Sequence, residues 1–336
     1  MIQFNVSLQP YNTFGIDVSA TAFARFSSIA ELEAVLLENN GKLPLFILGG
    51  GSNVLFTKSV DALVLKNELK GFEHLNETED TIDIRVGAGE EWHAFVRYCV
   101  ENGWGGVENL SLIPGSVGAS PMQNIGAYGA EIKDCFVELT AFHIEKGELH
   151  TFSAEDCAFG YRESVFKRAL KGQYIIASVT YRLQKHPKFN TAYGAIQTEL
   201  DAMNVHELSV SAISQAVMNI RNSKLPNPKE LGNAGSFFKN PVVDPAVVEV
   251  LKERFPEVPN YPQPDGSVKL AAGWLIEQAG WKGKRIGNCG VHARQALVLV
   301  NYGGASGNEI YALSQAVLDD VQQQFGVLLE REVNIL

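Results

Sequence analysis

Apolar residues recur along this chain at helical and strand spacings, and the pattern changes character near residue 205. Residues 28–40, SIAELEAVLLENN, read as a helix, with Ser28 as its cap and Glu31 completing a capping box. LPLFILGGGSN then reads as a buried strand running into a glycine turn. Strand patterns follow at 60–66 and 81–88. GEEWHAFVRYCVENGW, residues 89–104, fits a helix that begins with acidic residues, as the helix dipole favours. Residues 105–130 read as glycine-rich loop with short helical turns. Short strands return between 131 and 182, in FVELTAFHI and QYIIASVTYRL.

Beyond 205 helices dominate. SVSAISQAVMNIRNSKLP, 209–226, predicts one helix ended by Pro226. NPKELGNAGSFFKNP reads as a polar turn. PAVVEVLKERFP is a helix with Pro245 in its first turn, and AAGWLIEQAG a short one closed by Gly280. ALVLVN is a buried strand, and NEIYALSQAVLDDVQQQFG a long helix stopped by Gly326. The terminal VLLEREVNIL reads as a strand returning to an earlier domain. A domain boundary is expected at 205–213.

Composition narrows the class. A chain of 336 residues with 46% hydrophobic residues is expected to form two or three globular domains. With 28 basic and 38 acidic residues, its net charge of −10 argues against a general nucleic-acid binder, though not against a local basic pocket for an anionic ligand. The start lacks a secretory pattern, and no apolar run approaches a membrane span. Cys99, Cys135, Cys157 and Cys289 are too scattered for a disulfide framework or zinc cluster. A soluble cytoplasmic protein is expected.

The candidate chemistry lies in glycine and basic clusters. LGGGSN, 48–53, lacks the GxGxxG spacing and the lysine of a phosphate-binding loop. Its backbone N–H groups suit either a pyrophosphate or a plain tight turn. PGSVGASPMQNIGAYGA, 114–130, offers the same choice, with Ser116, Gly118 and Ala119 as backbone donors and Asn124 as an amide. Two such neutral loops fit one dinucleotide better than a metal. The seven histidines show no metal-ligand spacing. Cys289 and His292 admit a nucleophilic pair or simply a buried thiol. YRESVFK holds Arg162 and Lys167, RNSKLPNP holds Arg221 and Lys224, and GNAGSFFKNP holds Ser236, Lys239 and Asn240. These read either as an anionic pocket or as solvated loop charge.

Taken in order, LGGGSN, IPGSVGASPMQNIGAYG, YRESVFK, KLPNP, GNAGSFFKNP and AAGWLIEQAGWKG resemble the UDP-N-acetylenolpyruvoylglucosamine reductase family. These flavoenzymes make UDP-N-acetylmuramate for bacterial peptidoglycan. NTFGIDVSA, CGVHARQALVLVN and the terminal LEREV extend the resemblance over essentially the whole chain. It implies an α+β fold. A two-lobed FAD-binding domain of the PCMH/vanillyl-alcohol-oxidase-like type would cover 1–205, with lobes of about 1–66 and 67–205, completed by 327–336. A substrate-binding domain of α/β type would cover 209–326.

The resemblance also implies non-covalent FAD held by Gly49, Gly50, Gly51, Ser52, Asn53, Ser116, Gly118 and Ala119, and NADPH as co-substrate. The reduced flavin passes hydride to the enolpyruvyl double bond, and a proton arrives at the carbon bearing the ether and carboxylate. Ser236 matches the proton donor. Arg162 and Glu332 match the pair at the substrate carboxylate. Tyr193, Lys224 and Asn240 match residues that hold UDP-N-acetylglucosamine enolpyruvate at its diphosphate. HPKFNTAYGAIQTEL fits the family branch whose extra loop bears this tyrosine. Only Val333–Leu336 follow Glu332, whereas that branch usually continues further, so Glu332 is expected to be less firmly fixed. A monomer acting on a small molecule, without nucleic acid, membrane or metal, is expected. The competing classes are an FAD oxidase of related fold and a non-catalytic sugar-nucleotide binder. The YRESVFK and GNAGSFF pair disfavours the oxidase, and the presence of Arg162, Ser236 and Glu332 disfavours the binder.

Overall fold

A computed structural model describes residues 1–336, apart from the burial of Gly194. Packing groups the chain into two compact units, residues 1–6, 20–50 and 61–222, and residues 7–19, 51–60 and 223–336.

The first unit holds two larger sheets and a short hairpin, Gly126–Ala127 with Ala130–Glu131. In the smaller of the two sheets, strands run in the order Gln3–Ser7, Ser19–Phe26, Val60–Asn67 and Leu45–Leu48. The last two are parallel, which places Leu48 beside Lys66 just before the glycine turn. The helix Ile29–Asn39 covers this sheet with Leu32 and Val35. Ser28 Oγ accepts the Glu31 N–H at 3.1 Å, as expected of the cap. The Glu31 carboxylate returns to the N–H of Ser27 at 2.7 Å, one residue earlier than a regular capping box places it.

The larger sheet is antiparallel, in the order Glu148–Ser153, Phe136–His143, Tyr174–Gln184, Thr81–Gly87 and Phe72–Glu77. Trp92, Phe95, Val96 and Cys99 from the helix Trp92–Glu101 enter its core. The strand Phe72–Glu77 escaped the pattern reading because nearly all of it is exposed. Residues 105–130 form the expected loop with 3-10 turns at Glu108–Leu110 and Val117–Ala119. The segment expected as an extra loop contains the helix Gly194–Ala202. Its Ile196 and Leu200 pack on Ile213, Ala216, Val217 and Ile220 of the helix Val210–Lys224.

In the second unit, Gly232–Ser236, Val298–Asn301, Cys289–Val291 and Arg285–Ile286 form an antiparallel sheet. The helix Gly307–Phe325 buries Ile310, Leu313, Val317 and Val321, and Gly326 ends it in the left-handed region. GNAGS is thus a strand and not the expected polar turn. Its glycine serves a bulge, where Gly235 has φ +68°.

The packing division differs from the one drawn on pattern. The helix Val210–Lys224 begins in the first unit because the helix Gly194–Ala202 fills its apolar face. The C-terminal segment groups with the second unit because Asn334–Ile335 pairs in parallel with Val54–Leu55 of that unit. Expected as a full strand, VLLEREVNIL supplies only these two strand residues.

Candidate active site

The two glycine loops of the first unit lie one upon the other. A Cβ on Gly49 would stand 2.7 Å from Ser116 Oγ, and one on Gly50 2.7 Å from Gly115 Cα. At Gly50 backbone therefore packs on backbone, which only glycine permits, whereas the atom nearest Gly49 is a side-chain hydroxyl. The second loop is tied down further: Trp92 N–H donates to Gly115 O at 3.0 Å, and Val117 N–H to Glu90 O at 2.8 Å.

Two expected donors are spent inside the protein. Gly118 N–H donates to Ala88 O at 2.8 Å, and Ala119 N–H to Ser116 O at 3.0 Å. A Cβ on Gly118 would meet Ala88 Cβ at 2.7 Å, so packing explains this glycine. The expectation that these N–H groups point to a ligand is corrected accordingly. Asn124 likewise is a fully buried tie, donating to Glu131 Oε2 at 2.9 Å and Gly160 O at 3.1 Å. By contrast, the Gly50 N–H has no hydrogen-bond acceptor among the described residues.

Arg162 occupies the left-handed region, φ 55°, on the YRESVFK loop. Its Nη2 donates to Gly126 O at 2.7 Å, and its guanidinium lies 5.5 Å from the Tyr161 ring centroid. Lys167 Nζ donates to the Arg162 carbonyl at 3.2 Å, and Ser164 Oγ to Met122 O at 2.7 Å. The loop is thus built to hold one half-buried guanidinium.

Tyr193 is 53% exposed. Its ring meets Tyr128 edge-on at 5.4 Å between centroids. The Tyr128 hydroxyl pairs with Arg221, and burial raises the Tyr128 pKa. Arg221 Nε is buried without a hydrogen-bond partner. Sequence reasoning noticed Arg221 but left it out of the site, and it missed Tyr128. The available signals were position: Arg221 lies one helical turn before Lys224, and Tyr128 sits inside the quoted glycine loop.

In the second unit the bulge decides where Ser236 points. Asn233 pairs with Val300 and Ser236 with Val298, with the irregularity between them. Asn233 Oδ1 accepts the Gly235 N–H at 3.0 Å. Ser236 is exposed, whereas Phe237 and Phe238 are buried. The C-terminal segment runs beside this stretch. Glu332 N–H donates to Phe237 O at 2.8 Å, and Lys239 N–H to Glu330 O at 2.9 Å. Ser236 and Glu332, 96 residues apart in sequence by their numbers (332 − 236), are brought onto neighbouring backbones.

The tail after Glu332 is pinned, contrary to the expected fraying. Leu336 N–H donates to Leu55 O at 3.0 Å, and Thr57 N–H and Oγ1 both donate to Leu336 O at 2.6 Å. Lys224 is exposed at the end of its helix. Asn240 Oδ1 accepts the Ala272 N–H at 3.0 Å, which caps the helix Ala272–Gln278 and leaves the –NH2 end of the amide for other contacts.

The nucleophilic pair does not form. Cys289 is buried, its thiol donates to Ile286 O at 3.4 Å, and burial pushes its pKa up. His292 Nδ1 is buried without a hydrogen-bond partner. All four cysteines are free, and among the described residues no cluster could hold a metal. Among the described residues no helix is long and apolar enough to cross a membrane.

Residues 227–336 match the C-terminal domain of UDP-N-acetylenolpyruvoylglucosamine reductase, and residues 20–153 match an FAD binding domain. The UDP-N-acetylenolpyruvoylglucosamine reductase of Flavobacterium johnsoniae is 52% identical over 336 residues, covering 100% of this chain and 99% of its own. The chain belongs to this reductase family. The reductase of the same name from Amoebophilus asiaticus is 51% identical over 340 residues, with 100% and 99% covered. That of Pseudomonas putida is 51% identical over 334 residues, with 99% and 98% covered. The crystal structure of the Thermus caldophilus reductase, 23% identical, aligns with a TM-score of 0.71 over 100% of this chain and 99% of that one, and so shares the fold. The fold is α+β, with an FAD-binding domain followed by the reductase C-terminal domain. The chain is an FAD-dependent oxidoreductase of peptidoglycan precursor synthesis, with NADPH as reductant.

Proposed function

We propose that this reductase converts UDP-N-acetylglucosamine enolpyruvate to UDP-N-acetylmuramate with Ser236, Arg162 and Glu332 as its catalytic residues. When bound, FAD would supply the hydride chemistry that links NADPH to the enolpyruvyl double bond. The stacked glycine loops fit the cofactor: Gly49–Asn53 and Ser116 hold it, while Gly118 and Ala119 shape the second loop from behind. The unpaired Gly50 N–H supports that reading.

Ser236 delivers the proton to the carbon bearing the ether and carboxylate. The observation that carries this role is its exposure beside the bulge, just before the buried Phe237 and Phe238. A serine is a poor acid, but the centre it protonates is strongly basic. Arg162 neutralises charge developing on the substrate carboxylate. Glu332, sharing a proton, hydrogen-bonds the same oxygens; a bare carboxylate there would repel them. Tyr193, Lys224 and the amide –NH2 of Asn240 hold the diphosphate. The protein acts as a cytoplasmic monomer, without nucleic acid.

The test is anaerobic. Purified protein is yellow and releases FAD on acid denaturation. NADPH bleaches the flavin, and UDP-N-acetylglucosamine enolpyruvate restores its colour. Restoration only by oxygen would indicate an oxidase and overturn the assignment.

A further inference from the structure

Both glycine loops are neutral: Gly49–Asn53 and Gly115–Ala119 contain no charged side chain. A cation nevertheless stands behind the first of them. The Lys66 ammonium donates to the Gly49 carbonyl. Strand register explains the meeting, because Lys66 pairs with Leu48 at the end of the parallel strands. The side chain is half-buried, and Lys66 enters no salt bridge among the described residues.

Gly49 C=O and Gly50 N–H belong to one planar peptide. A positive charge on the oxygen draws electron density from the nitrogen and strengthens its N–H as a donor, the cooperative effect of chained hydrogen bonds, about 10–30% per bond. The Gly50 N–H is one of the loop donors with no acceptor among the described residues. Stacking on Gly115 holds that peptide's orientation from the other side.

We propose that Lys66 is a positioning residue for the FAD pyrophosphate, fixing and polarising the 49–50 peptide and supplying the positive charge that the loops lack. This rests on the reading of the glycine loops as the pyrophosphate site. Burial lowers the Lys66 pKa, with the Glu68 charge opposing that shift and Lys70 and Arg25 adding to it, and a bound anion would favour the ammonium further. A lysine kept only to fill space would need no charge.

The experiment uses full-length protein stripped of flavin and titrated with FAD by fluorescence quenching. Lys66→Met raises the FAD dissociation constant about tenfold, the effect of losing one charge-assisted contact. Lys66→Arg, which keeps the charge, stays within about threefold of wild type. Phosphorus NMR of bound FAD gives a second readout: Lys66→Met moves at least one pyrophosphate resonance, while Lys66→Arg restores it toward the wild-type position. Ser116→Ala is the control for the loop assignment. If Ser116→Ala weakens FAD but Lys66→Met changes neither the dissociation constant nor the phosphorus spectrum, the loops bind the pyrophosphate and the Lys66 proposal is overturned. If neither substitution affects either readout, the loop assignment itself falls. Equal weakening by Lys66→Met and Lys66→Arg would show a packing role and would also overturn the proposal.

Discussion

The side-chain amide of Asn53 donates to the backbone carbonyl of Glu332 at 3.4 Å, while Asn334 returns its N–H and its side-chain amide to the Asn53 carbonyl at 3.2 and 2.9 Å. The end of the first glycine loop and the C-terminal segment are therefore held together around Glu332. Deleting Asn334–Leu336 removes the return contacts and the Thr57 bonds to Leu336. Flavin reoxidation by substrate should then slow at least about tenfold, as misplacing a catalytic group does. Reduction by NADPH should stay near the wild-type rate. Stopped-flow absorbance of the two half-reactions checks this, and equal slowing of both would contradict it.

Ser236→Ala should bind FAD and accept hydride from NADPH normally. Its reoxidation by substrate should fall by about 10²–10⁴, the usual contribution of a positioned acid. Ser236→Cys should recover part of the loss, because a thiol still carries a proton. In D₂O the wild type should place deuterium on the carbon bearing the ether and carboxylate. An alanine variant matching wild type in rate, isotope effect and stereochemistry would exclude Ser236 as donor.

Tyr193→Phe and Lys224→Ala should raise KM for the sugar nucleotide with flavin reduction by NADPH nearly unchanged. Removing a contact made equally in ground and transition states has this signature. Steady-state kinetics with separate rapid-reaction measurement of the reductive half distinguishes it from general damage.

Glycine substitutions should separate crowding from backbone strain. Gly50→Ala drives a methyl to 2.7 Å from Gly115 Cα, a backbone neighbour that cannot swing aside. Overpacking of this kind costs about 1–3 kcal/mol, and the variant should lose FAD as well as Tm. A methyl on Gly235 would meet nothing within 4 Å, but the residue sits at φ +68°. Gly235→Ala should cost about 1 kcal/mol through strain alone and retain FAD. Melting temperatures and the flavin-to-protein ratio test the pair.

Acid stability should depend on Asp83, which is buried and held by Arg182 through bonds of 2.7 and 2.8 Å. Those hydrogen bonds hold the carboxyl below its ordinary pKa, against the opposing effect of burial. A depressed folded-state pKa gives stability that is complete above the unfolded value of about 3.9 and is lost as pH falls through the folded one. Asp83→Asn should therefore lower stability near neutral pH by about 1–3 kcal/mol, discounted because Arg182 is half exposed. The difference from wild type should shrink in acid. Urea titrations across pH measure it.

The helices were legible because their caps and apolar faces are local. Ser28, Gly326 and Pro245 mark ends by the conformations that they favour, whatever the rest of the chain does. GNAGS was misread because Asn and Gly spell a turn locally, whereas here they build a bulge within a strand. The same limit applies to the site. The glycines at 49, 50 and 118 were visible, but their neighbours, Ser116, Gly115 and Ala88, follow only from tertiary packing. Packing also spends the Gly118 and Ala119 donors. Lys66 was illegible because a lysine ending a buried strand has the same sequence pattern whether it faces water or a carbonyl.

The four buried thiols provide a clock for opening of the fold. Cys99, Cys135 and Cys157 lie in one compact unit and Cys289 in the other. Burial raises the pKa of each, that of Cys157 to about 12. An alkylating reagent needs an accessible thiolate, so labelling of the native protein must wait for local or global opening. Mass spectrometry of peptides from a timed labelling reaction would then follow each unit by its own cysteines. A flavin that protects Cys289 and the other three to different extents would reveal which unit the cofactor steadies most, without any probe being attached in advance.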